Sequence, residues 1–93
     1  MDLPLFLHHY EAFNKHFFPN ETLEEIEDKM MEEMSELSEA LCFEQPIEDK
    51  ISECVDVLNI SIKLLTAYGV KNVLDAGYRK LCETKLKYEK EGK

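Results

Sequence analysis

Two short acidic clusters, Glu32-Glu33-Met34-Ser35-Glu36 and Glu53-Cys54-Val55-Asp56, carry the residues of this chain best suited to chemistry. In each, two carboxylates stand three positions apart: Glu33 with Glu36, and Glu53 with Asp56. On a helix that spacing turns both side chains the same way. Two such helices packed antiparallel bring four carboxylates to one point. Crowded carboxylates repel, and burying them is costly unless something compensates. The usual compensation is a hard divalent cation with oxygen ligands, Mg²⁺ or Mn²⁺. Glu33, Glu36, Glu53 and Asp56 can together hold one or two such ions, which keep waters and bridge to substrate phosphates. A water held there, or by Glu32, can attack phosphorus while the cation neutralises the leaving oxygens. Lys80 and Lys87, with Lys63, are the cations suited to contact the outer phosphates.

Competing chemistries lack their residues. Di-iron bundles need Glu-x-x-His, but position 39, three after Glu36, is Glu, and no His follows either cluster. An EF-hand loop, a Walker A sequence and a nucleophile elbow are all missing. Cys42, Cys54 and Cys82 show no zinc spacing and read as free, half-buried thiols of a reducing compartment. His8, His9 and His16 have no partner spacing that builds a site, so surface or packing roles are expected for them.

The elements that must position the clusters follow from periodicity. Pro4 can open a first helix whose apolar stripe is Leu3, Phe6, Tyr10, Phe13 and Phe17, ended by Phe18-Pro19-Asn20. Thr22-Leu23-Glu24-Glu25 fits a capping box. It starts a second helix with Leu23, Ile26, Met30, Met34, Leu37 and Leu41 on one stripe. At roughly 100° per residue, Glu33 and Glu36 fall beside that stripe and Glu32 lies further towards solvent. Phe43-Glu44-Gln45-Pro46 breaks the helix, and Pro46 suits the first turn of the next. So short a connection makes helices two and three antiparallel neighbours.

Helix three is apolar on two sides. Ile47, Ile51, Val55, Leu58, Ile62 and Leu65 form one stripe, while Glu53 and Asp56 point the other way beside Val57, Ile60 and Leu64. Both sides therefore expect burial, and a second copy of the chain is the economical cover for the acid-bearing face. Gly69 is a plausible C-cap. Helix four is expected from Val70–Asn72 onward with Val70, Leu74, Gly77, Tyr78, Leu81 and Tyr88 as its stripe. Lys80, Thr84 and Lys87 run along one edge, and the charged tail from Glu89 to Lys93 is expected to fray.

Length and charge bound the rest. The 93 residues make one domain, 1–93, with a modest core, so a homodimer or homotetramer is expected. The net charge of −9 argues against binding nucleic acid polymer through its phosphates. It also means that a phosphorylated substrate needs a metal bridge or local cations. The start of the chain shows no signal peptide and no apolar run spans a membrane, so a cytoplasmic location is expected.

Glu32-Glu33-x-x-Glu36, sixteen intervening residues, then Glu53-x-x-Asp56 resembles the EExxE…ExxD signature of the MazG-like nucleotide pyrophosphohydrolases, with an apolar continuation in Val57-Leu58-Asn59-Ile60. Lys80-x-x-x-Thr84-x-x-Lys87-Tyr88 is similar to that family's Lys-x-x-x-Asn-x-x-Arg-Tyr stretch, with Thr84 and Lys87 as departures. The resemblance spans roughly residues 22–88. It implies an all-α bundle of four helices completed by homo-oligomerisation, and Mg²⁺-dependent (or Mn²⁺-dependent) cleavage of (d)NTP to (d)NMP and pyrophosphate. Metal ligation would fall to Glu33, Glu36, Glu53 and Asp56. Glu32 would be an accessory acid that helps position water, and Asn59 a base or sugar contact. Phe13, Phe17 or Phe18 could stack on the base. The related phosphoribosyl-ATP pyrophosphohydrolases typically carry a His soon after the ExxD aspartate. Val57-Leu58-Asn59-Ile60-Ser61 has none, which points away from that substrate. From a different class, an acidic helical interaction module without catalysis is the alternative.

Overall fold

Unsatisfied backbone groups at helix ends need partners, and this chain supplies them locally. In the computed structural model, which describes residues 1–91, the Asp2 carboxylate accepts from the Leu5 N–H at 2.9 Å and opens α1, Leu3–Phe17. Thr22 opens α2, Leu23–Cys42, through both arms of the expected capping box: the Glu25 N–H donates to Thr22 Oγ1, and the Thr22 N–H donates to the Glu25 carboxylate. Pro46 stands just before α3, Ile47–Ala67, and presets its φ. Asn72 accepts from the Asp75 N–H and opens α4, Val73–Lys90. The last helix thus starts just past the expected range, because the Asn72 side chain makes the cap. Val70 lies in the turn, where its N–H donates to the Leu65 carbonyl. The helix holds to Lys90, within the segment expected to fray; Gly92 and Lys93 lie outside the described residues.

Both ends of the α3 hairpin use the left-handed closing residue. Gly69 (φ +92°) follows α3, with Gly69 N–H to Thr66 O and Val70 N–H to Leu65 O completing a Schellman turn. After α2, Glu44 takes the same role at φ 49°, with Gln45 N–H on Ala40 O. Glycine costs nothing in that conformation, whereas a glutamate is strained.

The architecture is all-α, with four helices and no strand among the described residues. Among the described residues, helices α2 and α3 pack along their length, α4 touches α3, and α1 packs its backbone against none of the other helices and carries its own aromatic stack, Phe6 on Tyr10 at 6.0 Å. On α2 the inward positions are Ile26, Met30, Glu33, Leu37 and Ala40. On α3 they are Glu53, Val57, Ile60 and Leu64. Ser61 donates to the Val57 carbonyl and lies 3.7 Å from Met30 Sδ, and the Tyr68 hydroxyl donates to Glu27 at 2.6 Å, tying the far end of the hairpin.

This corrects the expected assignment of the α3 faces. The acid-bearing face packs on α2 of the same chain, while Ile47, Ile51, Val55 and Leu58 lie open, Ile51 at 57% exposure. A helix apolar on both sides carries no periodicity signal for which side its own chain covers. Other expected stripes are bare too: Leu74, Tyr78, Leu81 and Tyr88 on α4 and Leu23, Met34 and Leu41 on α2 are exposed. Among the described residues the buried apolar side chains are Ile26, Ala40, Ile60 and Ile62. The radius of gyration is 15.7 Å, against about 12 Å for a compact chain of this length. The three cysteines are free, as expected, but exposed rather than half-buried.

The two closing residues make a paired test. Gly69→Ala should lower the unfolding free energy by about 1–2 kcal/mol, while Glu44→Gly should leave it unchanged or raise it by up to about 1 kcal/mol. Urea unfolding of both variants against the parent checks the sign of each.

Candidate metal centre and adjoining pocket

The α2–α3 seam does what the spacing of the acids demands. Helical i, i+3 geometry places Glu33 with Glu36 and Glu53 with Asp56, and the antiparallel packing sets one pair against the other. One carboxylate oxygen from each of the four lies within 4.8 Å of all the others. Glu33 and Glu53 are half-buried, while Glu36 and Asp56 reach solvent. Glu33 Oε2 and Glu53 Oε2 are shielded from solvent and have no hydrogen-bond partner.

Among the described residues nothing neutralises this cluster. Among the described residues, the ion pairs join Lys15 to Glu11, Lys63 to Glu21, Arg79 to Asp75 and Lys80 to Glu83, all outside it. Removal from water, then the Glu36 and Asp56 charges, hold the Glu33 carboxyl above the usual carboxylate range, with Glu53 and Glu32 adding to the push. Glu53 is raised for the same reasons in the same order, and a hydrogen bond with Glu36 adds to it. Shielded carboxylate oxygens without donors, converging from four side chains, fit a hard divalent cation. Glu32 is exposed and stands beside the set rather than in it.

Two concavities flank this end of the fold. The larger, about 1030 Å³, lies between α1 and the α3–α4 turn and contains none of the four acids. The smaller, about 170 Å³, shares Glu33 and Asp56 with the cluster, so it is the one that adjoins the chemistry. Asn59, one turn after Asp56, lines it, with its Oδ1 shielded and unpartnered. Phe13 and Phe18 line it as well; Phe17 does not. Lys63 reaches it from α3 and is paired with Glu21, each side chain about 10% exposed. Lys80 and Lys87 are exposed on α4, which packs against α3 and not α2, and neither lines the pocket. Tyr10, Asn14 and Lys29 are pocket residues that the sequence reading did not single out. Lys29 had a usable signal, since it lies one turn before Glu33 on the same helix face.

A family model described as Phosphoribosyl-ATP pyrophosphohydrolase matches residues 4–84. The matched span includes all four clustered acids, Asn59 and Lys80, and ends before Lys87. No curated protein and no solved structure matches the chain.

A carboxyl whose folded pKa is raised contributes stability below its unfolded value of about 4.5 and loses it as pH rises through the folded value. In chelator, the urea midpoint should therefore fall between pH 5 and pH 7.5, and Glu53→Gln should flatten that fall. Adding Mg²⁺ at pH 7.5 should stabilise the parent and not Glu53→Gln. Equal Mg²⁺ response in both proteins would remove the cluster from consideration as the binding site.

Proposed function

The chain belongs to the phosphoribosyl-ATP pyrophosphohydrolase family, within the MazG-like all-α superfamily. From that premise we propose that it is a Mg²⁺-dependent (or Mn²⁺-dependent) nucleoside triphosphate pyrophosphohydrolase, converting (d)NTP and water to (d)NMP and pyrophosphate. The observation that carries the reading is the four-carboxylate cluster with shielded, unpartnered oxygens and no cation of its own. An acidic interaction module has no use for four carboxylates converging on one point, so the family and the geometry together favour the enzyme.

Glu33, Glu36, Glu53 and Asp56 would hold the cation. When bound, it supplies charge neutralisation for the phosphoanhydride and polarises water. Glu32, outside the ligating set and open to solvent, positions the attacking water and accepts its proton. The water oxygen bonds to phosphorus, the bond from phosphorus to the bridging oxygen breaks, and pyrophosphate carries away the electron pair. Asn59, with its unpartnered Oδ1, holds the base or sugar in the small pocket, against Phe13 and Phe18.

Phosphoribosyl-ATP is the second reading. The family's description names it, and the missing His after Asp56 stands against it. The two concavities share Tyr10, Asn14, Phe18 and Lys63, so a substrate with a second riboside has a groove to extend into. Either substrate is cleaved with release of pyrophosphate at the same cluster.

The bare stripes of α3 and α4 support assembly of copies. We assign Ile51, Val55 and Leu58 to an interface with a second copy, in a homodimer or homotetramer, because exposed apolar faces of this extent mark contacts between chains. Lys80 and Lys87 then serve the outer phosphates from α4 of a neighbouring copy.

Two measurements check these readings. A panel of nucleoside triphosphates plus phosphoribosyl-ATP, assayed with Mg²⁺, should release pyrophosphate from at least one of them. Glu53→Gln or Asp56→Asn should cost more than the roughly 10–100-fold that outer-shell partners of metals cost. Folded protein that turns over nothing on the panel would sink the enzyme. Light scattering should give an assembly of copies for the parent and a smaller species for Ile51→Glu/Leu58→Glu. A monomeric parent would refute the interface.

A further inference from the structure

The small pocket holds a cation whose placement the carboxylate cluster does not explain. Lys29 Nζ lies 4.8 Å from the centroid of the Phe18 ring, and Lys63 Nζ lies 4.4 Å from the same ring. An ammonium near an aromatic face is held by the ring quadrupole. The two lysines differ in what else they have. Lys63 is paired with Glu21 in a nearly buried ion pair, so its charge is already neutralised. Lys29 is half-buried, and no carboxylate lies within bridging distance of it among the described residues.

That isolation runs against local expectation. Lys29 stands four residues after Glu25 and four before Glu33, spacings at which helical ion pairs form readily. Glu25 is taken by the capping box with Thr22. Glu33 turns into the cluster and leaves Oε2 unpartnered. Lys29 instead lines the cavity that opens beside Glu33 and Asp56. A half-buried cation with no counter-charge is costly, and an anion arriving in the pocket offsets that cost. The charge of the site asks for the same thing. Four carboxylates with one divalent cation keep a net negative charge, so a phosphoanhydride entering beside them needs a second cation close by.

We propose that Lys29 is a substrate-binding residue that contacts phosphate oxygens of the nucleotide, with Phe18 holding its ammonium at the pocket beside the carboxylate cluster. The proposal rests on the pyrophosphohydrolase reading and adds to it a phosphate contact supplied from within the same chain, on the same helix as Glu33 and Glu36. Lys63 has a different part: its pairing with Glu21 and its contact with Phe18 fix the wall against which Lys29 is placed.

The test compares the parent with Lys29→Gln, Lys29→Arg and Lys29→Met, the last retaining an apolar stem against Phe18 if the glutamine variant folds poorly. Three quantities are read for each: Mn²⁺ affinity by calorimetry, inorganic pyrophosphate affinity in the presence of Mg²⁺, and kcat and KM on the substrate turned over by the parent. Loss of a charge-assisted contact should weaken pyrophosphate binding and kcat/KM by about 10–100-fold in the glutamine and methionine variants. Mn²⁺ affinity should be unchanged, and arginine should restore most of the loss because it keeps the charge. If pyrophosphate affinity and kcat/KM stay within about twofold of an active parent, the Lys29 assignment is wrong and the hydrolase stands. Parallel loss of Mn²⁺ binding would also overturn it, making Lys29 a prop for the cluster. A parent that binds Mn²⁺ but neither pyrophosphate nor any nucleotide fails the hydrolase reading itself, and the Lys29 contact falls with it.

Discussion

Four carboxylates converge in the long α2–α3 seam, and among the described residues no lysine or arginine answers them. The rest of the structure is arranged around that repulsion. The seam is held by Ile26, Leu37 and Ala40 on α2 against Val57, Ile60 and Leu64 on α3; Glu33 and Glu53 lie within this apolar strip, with Glu36 and Asp56 at its solvent edge. Two further ties, Tyr68 to Glu27 and Ser61 towards Met30, hold the hairpin at the end away from the α2–α3 turn. Packing therefore enforces a distance between charges that the charges themselves oppose. Such an arrangement stores electrostatic energy that a cation would release on binding, which is how a ligand can stabilise a fold. The raised carboxyls of Glu33 and Glu53 are the local sign of that stored energy.

The same seam explains why so much apolar surface is left over. Helix α3 has two apolar sides, and its chain covers the one that bears the acids. The outward side, with Leu58 55% exposed, and the bare face of α4, with Tyr78 67% exposed, then have no cover within one chain. A 93-residue chain that buried those faces on itself would have to turn Glu53 and Asp56 outward and lose the cluster. Building the site inside the hairpin leaves the opposite faces bare, and the extended shape of the single chain goes with that division.

Much of this was legible in the residues. The Thr22–Glu25 capping box, the short break after Cys42 and the Gly69 closure are local devices. They depend on hydrogen bonds within a few residues, so sequence carries them nearly whole. The i, i+3 acids were legible for the same reason, and antiparallel packing then left one geometry for them. What sequence could not carry was the choice between two apolar faces of α3, since periodicity marks a face as apolar without naming what covers it. Lys29 escaped for a related reason. On a helix dense with glutamates, a lysine at i−4 reads as an ordinary surface ion-pair partner, and its displacement onto Phe18 depends on a residue from the loop after α1. The missing His after Asp56 bears on the substrate, whereas the match along residues 4–84 fixes the family without choosing between phosphoribosyl-ATP and a nucleoside triphosphate.

The placement of cations near the site follows a rule that the net charge of −9 imposes. A lysine dropped directly among Glu33, Glu36, Glu53 and Asp56 would neutralise the cluster, but it would also occupy the place of a divalent ion and fix the site as an internal salt bridge. Holding lysines on an aromatic ring next door avoids that outcome. The Phe18 ring attracts an ammonium without competing for the carboxylates, and it does so with a neutral group that adds nothing to the charge an approaching phosphate must face. Charge for the substrate is thereby kept near the acids and apart from them. The same logic accounts for the Lys63–Glu21 pair: a second uncompensated ammonium so close by would repel the first, and pairing it leaves Lys29, among the described residues, as the unpaired cation lining the pocket.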